Sequence, residues 1–358
     1  MDQKLQDKLN KRIEEGTLRS LSSFEGYIDF YSNDYLGFSK FKSKSENKLK
    51  YGSTGSRLIS GTSNESLKAE EFLADFFNSE SALIFNSGYD ANLGFFSSVP
   101  QRGDFVFYDE YIHASIRDGL RLSFATSNSF KHNNLVDLEL KLSKINGVKY
   151  VVVESLYSMD GDITSLLEIV ELCNKYGAYL IVDEAHSGGV FGQFGQGLVS
   201  ELKLEDKVFA RIITFGKAFG SHGACVLCEK KLKQYLINFS RSFIYTTALP
   251  PDSYLRIMEI LKDESSILER KKLKENIDYF RLKINLKWCV SDFNSPIQLI
   301  KIGDIELTKK IAEKMQLLNL AVKPIFSPTV PVGSEGLRIC LHSFNKKEEI
   351  DVLIDLLC

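Results

Sequence analysis

Short apolar runs recur through the middle of the chain: Ser81-Ala-Leu-Ile-Phe85, Asp104-Phe-Val-Phe-Tyr108, Tyr150-Val-Val-Val-Glu154, Ala178-Tyr-Leu-Ile-Val-Asp183, Arg211-Ile-Ile-Thr214 and Ala224-Cys-Val-Leu-Cys228. They are rich in β-branched and aromatic residues and mostly do not alternate with polar ones. That pattern predicts strands buried on both faces, in a sheet covered by helices. Between two of them, Ile163 to Lys175 carries apolar residues at helical spacing, and Gly177 follows as a stop signal. Strand, helix, strand is the unit of a mostly parallel α/β sheet, whose functional loops lie at the carboxyl ends of the strands.

The texture changes after Pro250-Pro251. Residues Asp252 to Lys283 read as helical and highly charged. A strand at Pro296–Ile302, a helix at Ile305–Leu318, a proline-punctuated stretch from Pro324 to Pro331, a strand at Gly336–Leu341 and a helix at Lys346–Leu357 follow. The expected organisation is an N-terminal segment (1–45) packing with a smaller C-terminal α+β domain (251–358), and a large domain at 46–250.

Charge excludes several partners. Lys plus Arg total 45 against 47 Asp plus Glu, so the formal net charge is −2. No bias recommends nucleic acid or an acidic membrane surface. Residues 1–15 (MDQKLQDKLNKRIEE) lack a signal-peptide core, and no run reaches ~18 apolar residues. A cytoplasmic location is the expectation. The six cysteines are scattered and form no disulfide framework. Cys225 and Cys228 do form a C-x-x-C, but inside an apolar strand, where residues three apart face opposite ways. No metal site is expected.

Four features carry chemistry. Val182-Asp-Glu-Ala-His186 ends a buried strand with two acids and an imidazole. Thr214-Phe-Gly-Lys-Ala-Phe-Gly220 ends another with Lys217. A solvated loop lysine is the plain reading, but a desolvated lysine has a depressed pKa and becomes a Schiff-base nucleophile. A strand-end Asp183 could then pair with a protonated pyridine nitrogen, as pyridoxal phosphate (PLP) sites require. The tetrapeptide DEAH also occurs in helicases, but the only Gly-Lys pair here precedes Ala218, so the phosphate loop such an enzyme needs is missing. Upstream, Phe85-Asn-Ser-Gly-Tyr-Asp-Ala-Asn92 runs from a strand into a helix; Gly88 permits close backbone approach, and helix N-termini bind phosphate. His113 lies beyond the strand ending near Tyr108, as a helix-start residue or as a flat ring able to stack on a planar cofactor.

In this order the features resemble the α-oxoamine synthases, fold-type-I PLP enzymes with the aminotransferase-like α/β fold. Further markers are Ser32-Asn-Asp-Tyr-Leu-Gly37, Gly52-Ser-Thr-Gly-Ser-Arg-Leu-Ile-Ser-Gly61, Tyr157-Ser-Met-Asp-Gly-Asp162, Tyr245-Thr-Thr247, Pro328-Thr-Val-Pro331 and Gly336-Leu-Arg338. The resemblance implies that Lys217 holds PLP and moves the α-proton, Asp183 keeps the pyridine nitrogen protonated, His186 bonds the ring's phenolic oxygen and His113 stacks on the ring. It places Gly88, Tyr89 and Thr214 at the phosphate, Thr247 at the phosphate of a neighbouring subunit in a homodimer, and Ser158 near His186. Arg338 would take the substrate carboxylate, with Arg19 and Asn33 on the substrate side.

The reaction so implied is decarboxylative condensation of L-alanine with a pimeloyl thioester, carried by CoA or an acyl carrier protein. A sister enzyme using glycine or serine, a PLP-binding relative without activity, and an aminotransferase on the same fold are the competing readings.

Overall fold

The computed structural model describes residues 2–19, 21, 23–42, 52–285, 287, 289–327 and 330–357. Among the described residues twelve strands form three sheets. The chain divides into two compact units, one of residues 33–158 and 162–273, the other of residues 1–32, 159–161 and 274–358. The texture change along the sequence places boundaries instead at 45/46, which lies outside the described residues, and at 250/251. The helix Pro251–Lys262 stays with the larger unit because it packs on the helix Asn64–Phe76 (α2). The expected helix 252–283 is two helices, broken at Asp263, with the second spanning Ser265–Lys283.

In the smaller unit, β1 (Ile28–Asp29) pairs in parallel with β10 (Leu320–Ala321). A three-stranded antiparallel sheet runs β11 (Lys323–Ile325), β12 (Gly336–Cys340), β9 (Ile297–Lys301). The helix Gln3–Glu14 (α1) buries no residue within it.

The larger unit is built on β2 (Ser81–Phe85), β3 (Phe105–Asp109), β4 (Thr126–Phe130), β5 (Lys149–Glu154), β6 (Ala178–Asp183), β7 (Ala210–Thr214) and β8 (Ala224–Cys228), in the spatial order β2-β8-β7-β6-β5-β3-β4. Of the seven, β8 alone runs opposite to the other six. Side chains alternate into two cores. Val106, Val152, Ile181 and Ile212 pack towards α3 (Gly88–Ser98) and α4 (Ala114–Leu122). Phe107, Val151, Val153, Leu180 and Val182 pack towards α5 (Leu135–Leu142) and α6 (Leu166–Tyr176). Burial on both faces is why these strands read as unbroken apolar runs.

β4 has no such run. Its sequence, TSNSF, is exposed at every position except Phe130, because it is an edge strand hydrogen-bonded on one side only. Cys225 and Cys228 are buried within β8, and burial pushes the Cys228 thiol up to about 12. Among the described residues no group of His, Cys, Asp or Glu could hold a metal ion, and no helix is long and apolar enough to cross a membrane.

Candidate active site

Parallel strands put their carboxyl ends at one edge, and the candidate residues of the larger unit collect there. Lys217 lies in the turn after β7. Phe215, Ala218 and Phe219 are buried around it and fix the turn, while Lys217 itself is half-buried. The turn closes through the Gly220 N–H donating to the Lys217 carbonyl at 2.7 Å. Gly220 has a φ of +55°, and a Cβ there would stand 2.1 Å from the Phe38 backbone; only glycine fits.

Lys217 Nζ lies 2.7 Å from His186 Nε2, and His186 Nδ1 lies 2.7 Å from the Tyr35 hydroxyl. Tyr35 donates to Asn33 Oδ1 at 3.2 Å. The directions chain together. If Tyr35 donates to Asn33, His186 carries its proton on Nδ1 and offers a lone pair on Nε2 to the lysine ammonium. Asn33 thus joins the site through Tyr35, a residue inside the Ser32–Gly37 motif whose role the sequence did not single out.

Asp183 ends β6 and is 4% exposed. Its Oδ2 accepts from Asn92 Nδ2 at 2.8 Å, and its Oδ1 from the Ala185 N–H at 2.9 Å. Asn92 stands one helical turn after Gly88 on α3, and Nδ2 also reaches Ser115 Oγ at 3.1 Å. Ser115 in turn bonds His113. The Ser115 N–H donates to His113 Nδ1 at 3.2 Å, so His113 caps α4 and holds its proton on Nε2. His113 is exposed. Desolvation by the surrounding protein lowers its pKa; Asp183 opposes that shift and Lys217 adds to it. A neutral, flat ring is the result.

Gly88 opens α3, and a Cβ on it would stand 2.4 Å from Thr214 Oγ1. The first-turn N–H groups of Gly88 and Tyr89 have no intrahelical acceptor. With the Thr214 hydroxyl they line a hollow that could hold an anion and that a larger side chain would fill. The Tyr89 side chain points elsewhere, donating from its exposed hydroxyl to Asp118 at 2.5 Å. Thr247 is exposed, with its carbonyl held by Asn86 Nδ2 at 2.7 Å. Ser158 is half-buried in the loop after β5.

Arg338 and Arg19 belong to the smaller unit. Arg338 is buried on β12, with Nη1 2.9 Å from Cys340 Sγ, and Arg19 is exposed beyond α1. In the Pro328–Pro331 motif the first two residues lie outside the described residues.

Two further groups brace the loops. Glu184, fully buried, pairs with Arg211 and also accepts from Ser187 Oγ and the Val199 N–H, each at 3.0 Å. The second acid of the DEAH sequence is therefore architectural. His132 bridges Asp109 at 2.9 Å and Asp162 at 2.5 Å while its ring stacks on Tyr111, tying together the loops after β3, β4 and β5. Burial opposes its charge, but the two carboxylates outweigh burial and push its pKa up to about 10. A raised pKa contributes stability that is full below the unfolded value of about 6.5 and is lost as pH rises through about 10. The stability gap between wild type and His132→Asn, measured by urea unfolding, should therefore shrink from about pH 6 to about pH 10. A constant gap would show that the histidine is not charged in the folded protein.

These residues suit PLP: an amine at a strand end, a buried carboxylate with fixed donors, a neutral imidazole and a helix start with a glycine cradle. The comparisons agree. The family model Aminotransferase class I and II matches residues 25–357. An 8-amino-7-oxononanoate synthase from Emericella nidulans is 39% identical over 388 residues, covering 98% of this chain and 93% of its own. A serine palmitoyltransferase from S. paucimobilis, solved with PLP and myriocin bound, gives a TM-score of 0.88 at 26% identity, covering 99% of this chain and 96% of that one. The 8-amino-7-oxononanoate synthase from Francisella tularensis gives 0.78 at 31% identity, covering 93% and 97%.

Proposed function

Because the chain belongs to the class I and II aminotransferase family, within its α-oxoamine synthases, we propose that this PLP-dependent C-acyltransferase condenses L-alanine with a pimeloyl thioester. The products are 8-amino-7-oxononanoate, carbon dioxide and the free thiol of CoA or an acyl carrier protein. One observation carries the reading: Lys217 Nζ sits 2.7 Å from His186, in a set of strand ends that also presents Asp183 and the Gly88–Thr214 cradle.

PLP, when bound, supplies an electron sink for the carbon that bears the amino group. The protein does the rest. Lys217 Nζ is the amine that holds the cofactor and then the base that takes the α-proton, with His186 Nε2 at hand to relay it towards Tyr35. Asp183, fixed by Asn92 and Ala185, offers a carboxylate to the pyridine nitrogen. His186 serves the phenolic oxygen, with Ser158 close by, and His113 offers its flat face to the ring. The backbone N–H groups of Gly88 and Tyr89, with the Thr214 hydroxyl, take the phosphate. Arg338 suits the substrate carboxylate, with Asn33 and Arg19 on the substrate side. The active unit is a homodimer in which Thr247 of one subunit reaches the phosphate in the other.

The likeness to serine palmitoyltransferase supports a second reading, a sister enzyme that takes serine or glycine with another acyl-CoA. One methyl group is worth only about 1–3 kcal/mol of discrimination, so a few pocket residues separate the two. The test crosses alanine, glycine and serine with a panel of acyl thioesters and reads thiol release and product mass. Alanine with the pimeloyl thioester should give the 8-amino-7-oxo acid. Release that requires glycine or serine and ignores alanine would overturn the first reading in favour of the second. Stoichiometric pyridoxamine phosphate and keto acid would identify an aminotransferase.

A further inference from the structure

A buried acid beside Asp183 has no part in the roles above. Glu154 ends β5 beside the residue that ends β6: Glu154 and Asp183 are Cα partners in the parallel ladder. Their side chains therefore leave the same face of the sheet, the face covered by α3 and α4. They are 3% and 4% exposed. Two carboxylates side by side in so dry a place do not both ionise.

Hydrogen bonding decides which of them keeps the charge. Asp183 accepts from two N–H donors, Asn92 Nδ2 and the Ala185 amide. Glu154 Oε1 is buried with no hydrogen-bond partner among the described residues. The charges that act on Glu154 are those of Asp183, Lys217 and, from the opposite face of the sheet, Asp109; the Tyr157 phenol lies near it, and the backbone N–H of His113 bonds its carboxyl. Of these only Lys217 is a cation, and Asp183 shares it.

We propose that Glu154 is a positioning residue held as a neutral carboxylic acid, acting through Asp183 and the His113 backbone. Its proton removes a second negative charge from beside Asp183, which leaves that carboxylate as the single anion offered to a pyridinium. Its oxygen holds the start of α4, and so the ring that caps it. Burial first, and the Asp183 charge second, push its pKa up to about 8, with Lys217 opposing. The proposal rests on the reading that Asp183 serves PLP.

Two variants test it. Glu154→Gln keeps the shape and the neutrality; Glu154→Leu keeps neither the donor nor the acceptor. In urea unfolding of the cofactor-free protein, wild type should lose stability relative to Glu154→Gln as pH rises from about 5 to about 8. The ratio of their unfolding constants should change by roughly tenfold per pH unit in that window. A flat ratio would show an ionised Glu154 and overturn the proposal. In the holoenzyme, Glu154→Gln should keep kcat within about threefold of wild type at neutral pH and lose the alkaline fall near pH 8, while Glu154→Leu should lose about tenfold or more. Equal losses in the two variants would overturn the positioning role. Borohydride fixation of PLP to Lys217 in the wild type decides the functional reading separately, because the unfolding titration needs no cofactor.

Discussion

Lys217→Ala should abolish the absorbance that PLP acquires through the lysine and lower condensation by at least about a thousandfold. Two functions end together in that variant. The amine that anchors the coenzyme is gone, and so is the base that takes the α-proton; general acid–base catalysis alone is worth about 10²–10⁴-fold. The surroundings argue that the loss comes from chemistry rather than from folding. Lys217 is only half-buried, and the turn is held by Phe215, Ala218, Phe219 and the left-handed Gly220, none of which changes. Urea unfolding of the variant should therefore match the wild type. Lys217→Arg should not rescue, since a guanidinium does not give up its proton. Unchanged absorbance and turnover in Lys217→Ala would remove the residue from the mechanism and, with it, the reading built on the strand ends.

The parts of this site visible in the sequence are those written contiguously. Asp183 and His186 follow one buried strand and Lys217 another, and a doubly covered sheet forces such strands into apolar runs that can be seen without a structure. The groups that stayed hidden depend on register. Glu154 reads as an ordinary polar residue closing a strand until β5 and β6 pair and bring it level with Asp183. His132 meets its carboxylates only because the loops after β3, β4 and β5 lie side by side, and β4 itself was hidden because an edge strand has no need of an apolar run. Asn92 closes the 85–92 motif, yet its bond to Asp183 needs α3 packed on the sheet. Residues 252–283 are helical apart from a break at Asp263, which the highly charged sequence does not mark.

The largest stability effect should come from Arg211→Met, at about 3–5 kcal/mol in urea unfolding. Arg211 is 2% exposed, with Nε donating to Glu184 Oε2 at 2.7 Å, Nη1 to the Phe77 carbonyl at 3.0 Å and Nη2 to the Gln196 carbonyl at 2.6 Å. Removing it strands a fully buried carboxylate and takes the donor from one buried and one half-buried carbonyl. Replacing both charges is gentler. In Arg211→Met/Glu184→Gln the amide still accepts from Ser187 and Val199, no charge is left without a partner, and the double variant should be more stable than Arg211→Met alone. Glu184 stands two residues before His186, so the stranded charge also loosens the loop that presents the imidazole to Lys217. The single variant should therefore retain PLP more weakly than the double one. A loss below about 1 kcal/mol in Arg211→Met would mean that Glu184 takes up a proton or admits water at little cost, and that the loop is braced by its backbone bonds rather than by the ion pair.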